Sequence, residues 1–451
     1  MLANFRSHNR LLIAILFIAL VLRLGYALAQ DHDAPYTKRG GDTVWYLQNG
    51  YTLVTGDDPT GRHLMERLPT APLYLIFIGA SQAIFSPDAT AIIVIRIVQA
   101  LLSTATVYFA YRIARQISGK EGIGLLTAAI LAISPVLILE TAQILTETLY
   151  VFWIMAGLMV YMDAVDSSLL AMHGEGPGVR FLFRWLALTG ILFGLATLTR
   201  AVLLLFPLGL AIHLVLARGW RTGLKHAAIL LVAYSLVVST WTVYNLARWN
   251  RLVIGAEGMA SFIYVGSRGW DAPQEVDQNL SEDLGVEDDD TEAIKNPDDY
   301  LTAAQNVIAD DPTGYIAHRV KELADAYLQP HGTVILGGES LKNLARDWSK
   351  DDRSPGGLID LMRSEHFWPK LALYVFHFGG LLLAVAGMWL TRAQWRFTLP
   401  LIGFIAYTTL LHLVMLALPR YIFPIYPVVW ILAAVALGMM WQRIQQRPVA
   451  T

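Results

Sequence analysis

The sequence contains no cysteine, so neither a disulfide nor a thiolate metal site can be built from it. Charge is nearly as scarce. Asp, Glu, Lys and Arg make up 16% of the 451 residues, well below the level of about 25% usual in soluble domains. The formal balance of −2 argues against a nucleic-acid partner. No Walker phosphate loop, dinucleotide-binding glycine fingerprint or zinc-protease motif is present. Internal repeats and low-complexity tracts are also missing.

Long apolar runs fill the space that charge leaves. A hydrocarbon core of about 30 Å demands roughly 17 to 25 apolar residues per helix, and ten runs meet that demand closely enough to be read as spans. They cover residues 11–29, 91–111, 123–139, 144–162, 181–198, 201–216, 227–246, 371–390, 397–418 and 421–440. Backbone polar groups must be satisfied inside lipid, so the expectation is an all-α polytopic membrane protein. Residues 27–29 resemble a small-residue cleavage site, but the preceding apolar region is long for a signal peptide and reads as an uncleaved anchor.

Sidedness follows from the basic connectors at residues 5–10, 112–120, 180–184, 218–225, 392–396 and 443–447, which ten spans put on one side. Both termini are therefore expected in the cytoplasm, with the acidic and aromatic connectors on the outer face of a cytoplasmic membrane. Residues 71–85 are apolar but short, and counting them as a span would break the charge pattern. They are expected to lie flat at the outer interface.

Three regions result. Residues 1–246 form an N-terminal membrane domain with a large first outer loop at 30–90, residues 247–370 an exterior segment, and residues 371–451 the C-terminal membrane helices. Within the exterior segment, 271–299 is acidic and reads as a solvated loop. Helical periodicity returns over 300–328 with a break at Pro312, which predicts two short helices.

Ionisable residues at the outer ends of apolar helices are costly to place and are candidate functional groups. Asp42 opens a stretch in which Val44, Leu47, Tyr51 and Val54 share one helical face. It reads either as a helix N-cap or as a catalytic carboxylate. Glu147 stands at the outer end of a span, where the alternative is a snorkelling end residue. Arg200 separates two spans and Arg420 precedes the last one. Their planar donor forks suit a phosphate, and ordinary anchoring to lipid headgroups is the plainer reading. His63 and Glu66, three residues apart, offer two ligands to a divalent metal, and two ligands do not make a site.

A carboxylate able to take a proton from an acceptor hydroxyl, together with arginines able to stabilise a leaving phosphate, suggests group transfer from a lipid-linked phosphate. An outer site has no access to cytoplasmic nucleotide sugars, so a polyprenyl-phosphate carrier is the natural donor.

At these residues the sequence resembles the bacterial GT-C membrane glycosyltransferases, the group of the protein O-mannosyltransferases and the aminoarabinose transferases of lipid A. The resemblance runs over 23–269 and resumes at 419–427. It rests on Asp42-Thr43-Val44-Trp45-Tyr46, the proline-rich Arg67-Leu68-Pro69-Thr70-Ala71-Pro72-Leu73-Tyr74, and Tyr111-Arg112-Ile113-Ala114-Arg115. Ser134-Pro135, Leu145-Thr146-Glu147, Leu198-Thr199-Arg200 and Arg420-Tyr421-Ile422-Phe423-Pro424 complete it. It implies a GT-C bundle of about ten spans with interfacial helices in the first outer loop, and inverting transfer of a lipid-linked sugar to a glycan, lipid or protein.

The resemblance makes Asp42 the catalytic base or acceptor-orienting residue. Arg200 and Arg420 would hold the donor phosphate, and Tyr46 and Glu147 would line the sugar pocket. Glu66, Arg67, Asn245, Arg248 and Tyr421 would contact substrate. Two departures stand out. Thr43 occupies the place where many members carry a second acid, and Trp241-Thr242-Val243-Tyr244-Asn245 lacks an arginine that Arg248 or Arg251 would have to replace. In aminoarabinose transferases an outer-loop Glu and a distant His hold a metal; Glu66 lies near the first position, and the His is left unassigned. Two rival readings stay open, a transporter or flippase of lipid-linked substrates and a surface-glycan polymerase or ligase.

Overall fold

The computed structural model describes residues 2–37, 41–57, 70–172, 179–268, 297–337, 340–351 and 353–445. Among these there is no strand, as lipid demands of a chain whose backbone must pair within each segment. The helices are α1 (Leu2–Leu28), α2 (Ala34–Thr37), α3 (Asp42–Thr55), α4 (Pro72–Phe85), α5 (Ala89–Ser118), α6 (Glu121–Ala132) and α7 (Pro135–Leu139). Next come α8 (Glu147–Met172), α9 (Val179–Thr199), α10 (Phe206–Arg218), α11 (Trp220–Trp249), α12 (Met259–Arg268), α13 (Pro297–Asp310) and α14 (Pro312–Leu328). The last are α15 (Gly332–Ile335), α16 (Leu341–Asp351), α17 (Pro355–Arg363), α18 (Phe367–Leu390), α19 (Trp395–Val414), α20 (Pro419–Ile422) and α21 (Tyr426–Gln445).

Among the described residues nine helices are long and apolar enough to cross a membrane, and each overlaps a run read as a span in the sequence. The tenth run is broken. Helix Glu121–Ala132 and the segment Pro135–Ala142 meet at an angle of 56°. Pro135 has no N–H to give the Leu131 carbonyl, so the ladder fails there. The fully buried guanidinium of Arg23 repairs it, donating to the carbonyls of Leu131 and Ala132 at 3.0 Å each, to Ala19 O at 3.0 Å and to Ser103 Oγ at 2.8 Å. A cation beside the last carbonyls of α6 also complements the negative end of that helix.

At 14 residues, α4 is only about 21 Å long and falls short of a bilayer core. It packs on the amphipathic α3 through two glycines. A Cβ added at Gly79 would sit 1.9 Å from the Gly50 carbonyl oxygen, so the helices meet backbone to backbone. Leu47 of α3 then joins Tyr74, Ile78, Ile92, Ile95, Ile144 and Leu149 in one apolar cluster, which fixes α3 against α4, α5 and α8.

In the segment after α11, α13 and α14 are the two helices expected, divided at Pro312. Asp311 caps α14 by accepting from Gly314 N at 2.9 Å. Asp298 and Asp299 correct the loop assigned to 271–299, because they lie in the first turn of α13, where carboxylates favour the positive helix end. Residues 269–296 lie outside the described part. The helices α15, α16 and α17 were not expected.

The buried Arg319 of α14 holds this segment to the bundle. Its guanidinium donates to Leu413 O at 3.1 Å, His412 O at 2.9 Å and Gly266 O at 3.1 Å, and it pairs with Glu322. The end of α19 and the chain leading into α20 are thereby set in place.

Candidate active site

Three helix starts and a turn bring the outer-end charges predicted from sequence into contact. Asp42 is the first residue of α3, and the N-cap is Gly41 at φ 84°, a left-handed conformation that favours glycine. The N-cap reading of Asp42 is therefore corrected. Its carboxylate turns instead to Arg420, with which it forms an ion pair across nearly the full length of the chain.

Glu147 begins α8, and its side chain is only 2% exposed, too buried to be a snorkelling end residue. Its Oε1 accepts from Arg200 Nη1 at 2.9 Å, and Thr146 Oγ1 lies 3.3 Å from its Oε2. Arg200 sits between α9 and the 3-10 turn Ala201–Leu203. Burial opposes the charge of its guanidinium, but the Glu147 carboxylate, helped by Tyr421 and Tyr46, offsets this, so its pKa rises above the ordinary value.

The two ion pairs meet on Tyr421. Arg200 Cζ lies 5.1 Å and Arg420 Cζ 5.0 Å from the centroid of its ring, and the His412 ring stacks on it at 5.3 Å. Both guanidiniums thus lie against the same aromatic ring, a favourable arrangement for cations. Tyr150 lies on the other flank of Arg200, at 5.6 Å. Arg420 Nε is buried and has no hydrogen-bond partner among the described residues, so the site holds a donor in reserve.

Tyr46, one helical turn beyond Asp42, packs edge-on to Tyr74 at 5.2 Å. Burial raises its phenol pKa, and the charges of Glu147 and Asp42 push the same way against Arg200 and Arg420. Its hydroxyl is therefore a neutral group that feels the charges of both pairs. Beside Asp42, on the N-terminal side of α3, opens a cavity of about 390 Å³. Asp42, Thr43 and Val44 form one wall, and Asp31, Arg96 and Gln143 are among the residues of the others.

Other predicted residues stand apart. Asn245 is fully buried, with its amide on Trp241 O at 2.6 Å and its Oδ1 unpaired among the described residues. Arg248 is exposed and makes no hydrogen bond or ion pair among the described residues. Arg251 pairs with Glu257 rather than with the cluster. His63, Glu66 and Arg67 lie outside the described residues. Among those described, no three His, Asp or Glu side chains converge as metal ligands.

Sequence reasoning missed Arg96 and Glu140. Arg96 donates to Ala142 O at 3.1 Å and to Asp31 O at 3.0 Å, and its Nη1 lies 2.6 Å from His32 Nδ1. It therefore ties the first outer loop to the broken helix. The signal was available, because an arginine inside an apolar run is a candidate on its own. Glu140, buried at the end of the broken span, pairs with His331 of the later segment. Nothing in their spacing of 191 residues announces that contact.

The dolichyl-phosphate-mannose-protein mannosyltransferase family model matches residues 68–252, which include Glu147 and Arg200. The fold is shared with a solved oligosaccharyltransferase. Crystal structures of the Archaeoglobus fulgidus oligosaccharyltransferase superpose on 97% of the chain. The form tethered to an acceptor peptide gives a TM-score of 0.55 at 12% identity, and the apo form 0.53 at 13%. The chain spans about half the length of those enzymes, 50% and 51%. ArnT from Cupriavidus metallidurans bound to undecaprenyl phosphate aligns with 99% of the chain and 81% of its own, at 14% identity and a TM-score of only 0.33. No curated protein matches the chain in sequence.

Proposed function

We propose that this GT-C chain is an integral-membrane glycosyltransferase that moves a sugar from a polyprenyl-phosphate donor to an acceptor at the outer face of a cytoplasmic membrane. The observation that carries the reading is the meeting of the Asp42–Arg420 and Glu147–Arg200 pairs on the ring of Tyr421, beside an open cavity.

A polyprenyl-phosphate sugar is a phosphodiester with one negative charge. Attack by an acceptor oxygen on the anomeric carbon forms the new glycosidic bond as the bond from that carbon to the phosphate oxygen breaks. The bonding pair leaves with the phosphate, which gains a second charge, and the acceptor proton passes to the Asp42 carboxylate. Arg200 and Arg420 stabilise the charge that grows on the phosphate, a contribution larger in the transition state than in the bound donor. Because attack and departure occupy opposite sides of the anomeric carbon, the configuration inverts. Glu147 and Tyr46 line the sugar side, and the acceptor reaches Asp42 through the 390 Å³ cavity.

Arg420 cannot serve Asp42 and the phosphate equally. Arrival of the donor draws the guanidinium from the carboxylate and leaves its oxygens free to accept from the acceptor hydroxyl, so the donor's presence frees the base.

Binding of undecaprenyl phosphate to the purified protein and to Arg420→Gln tests the donor assignment. Loss of a charge-assisted bidentate contact predicts affinity about 10- to 100-fold weaker. Equal affinity in the two proteins would contradict it.

A further inference from the structure

The cavity beside Asp42 is walled by the ends of several elements. Asp42 and Thr43 come from the start of α3, Gln30 and Asp31 from the chain just after α1, Arg96 from α5, and Gln143 from the turn before α8. All six side chains can form hydrogen bonds, and several have capacity that the protein itself does not use.

Arg96 is the clearest case. It is 5% exposed, its Nε and Nη1 are both bonded, and its Nη2 makes no hydrogen bond among the described residues. A buried guanidinium thus keeps two N–H donors at the cavity it lines. Gln143 is the second case. Its main chain is fixed, with N donating to Glu140 O at 3.2 Å and the carbonyl accepting from Gln99 Nε2 at 2.8 Å, yet its side-chain amide makes no hydrogen bond among the described residues. Asp31 accepts from the N–H groups of Asp33 and Ala34 through Oδ1 alone, at 2.9 and 3.2 Å. Gln30 donates to Tyr26 O at 3.3 Å, which leaves its Oε1 to accept.

Donors and acceptors therefore stand side by side around about 390 Å³, and their charges cancel. Asp31 and Arg96 have opposite signs, and Asp42 pairs with Arg420. An anionic ligand would meet Asp42 as a bare carboxylate once the donor has drawn Arg420 away. A hydrocarbon would leave the buried guanidinium donors unmatched, which is costly. A peptide is commonly held by pairing with a sheet edge, and among the described residues no strand offers one. A neutral ring with several hydroxyls, each able to donate and to accept, matches these walls.

We propose that the acceptor is the uncharged end of a saccharide, whose terminal ring enters this cavity and presents one hydroxyl to Asp42 while Arg96 and Gln143 bond to others. The proposal rests on the glycosyltransferase reading above and narrows its acceptor to one class. The new bond then joins sugar to sugar. The acceptor oxygen takes the anomeric carbon, its proton passes to Asp42, and the polyprenyl phosphate leaves with the bonding pair.

The first test identifies the product. Wild-type protein in nanodiscs receives labelled polyprenyl-phosphate sugars and a cell-envelope extract, and the product is divided between reductive β-elimination and linkage analysis by methylation. The expected result is label on a hydroxyl of an uncharged sugar. Label released as a single-sugar alditol would place it directly on serine or threonine. That outcome, or label on an acidic sugar or a non-sugar lipid hydroxyl, would overturn the proposal and leave the glycosyltransferase reading standing. No labelled product from any donor would overturn that reading and the proposal with it.

The second test separates acceptor from donor. Gln143→Leu removes an amide that has no bond within the described protein, so the fold should hold. The extract concentration that gives half-maximal transfer should rise roughly 3- to 10-fold, the size expected for one hydrogen bond, while undecaprenyl phosphate binds variant and wild type alike. Unchanged half-saturation, or an equal loss of undecaprenyl phosphate affinity, would overturn the placement of the acceptor ring in this cavity.

Discussion

At the residue scale the candidate site is an arrangement of charges that satisfy one another. Asp42 was legible from its place at the start of an amphipathic stretch, and Glu147, Arg200 and Arg420 from their cost at the ends of apolar runs. Their pairing was not legible. Asp42 and Arg420 belong to opposite ends of the chain, and only packing decides that they touch.

The pairing makes Asp42→Asn informative in two directions. Removing the carboxylate should abolish transfer, yet undecaprenyl phosphate should bind at least as tightly, because Arg420 no longer has an internal partner. Weaker binding in Asp42→Asn, measured by titration in detergent, would mean that Asp42 holds Arg420 in its binding position.

Glu147→Gln tests the buried pair. It leaves the nearly buried Arg200 without its counter-charge, which typically costs about 3–5 kcal/mol. The thermal midpoint should fall, and undecaprenyl phosphate should recover more of the loss than it adds to the wild type, since a bound phosphate replaces the missing charge. Melting curves with and without the lipid check this, and equal shifts in the two proteins would contradict it.

At the element scale, hydropathy located the spans because lipid imposes a length and a composition on each helix. It also placed 71–85 apart from them. Hydropathy could not show that the run at 123–139 bends, since composition does not change at the break. Pro135 marked the place, and Arg23, more than a hundred residues earlier, supplies what the bend leaves unpaired. The helices α15, α16 and α17 escaped notice because they are short, and α16 is too polar for an apolar run to reveal it.

The Gly50–Gly79 crossing sets where α3, and hence Asp42, can stand. Gly79→Leu should push α3 away from α4 and reduce turnover by about 100-fold, the size of loss expected from a misplacement of about 1 Å. Donor binding should change far less, because Arg200 and Glu147 lie on other elements. Equal losses in turnover and donor affinity would show that the crossing supports the whole site rather than the position of Asp42.

At the scale of the whole molecule, two arginines resolve the same problem at different levels of the bundle. Arg23 and Arg319 are both buried, and each donates to main-chain carbonyls where a helix ends. Arg319 thereby joins the segment after α11 to the approach to Arg420. The contacts of Arg319 could not be read from the sequence, because long-range contacts of this kind leave no local pattern.

Orientation was read from the basic connectors, and it predicts both ends of the chain on the cytoplasmic side. The absence of natural cysteine allows a direct check with single substitutions at Ser7, Asp57 and Arg443 in intact cells. A membrane-impermeant maleimide should label Asp57→Cys and spare Ser7→Cys and Arg443→Cys. Labelling of either end would reverse or break the topology.

The claim on which the rest depends is transfer itself. The most direct measurement supplies labelled polyprenyl-phosphate sugars in turn to the wild type and to Asp42→Asn in nanodiscs, with an extract of the outer membrane surface as acceptor. Transfer of one sugar by the wild type and none by Asp42→Asn is the predicted result. No transfer from any donor, together with movement of one of them across liposomes that hold the wild-type protein, would contradict the account and identify a flippase.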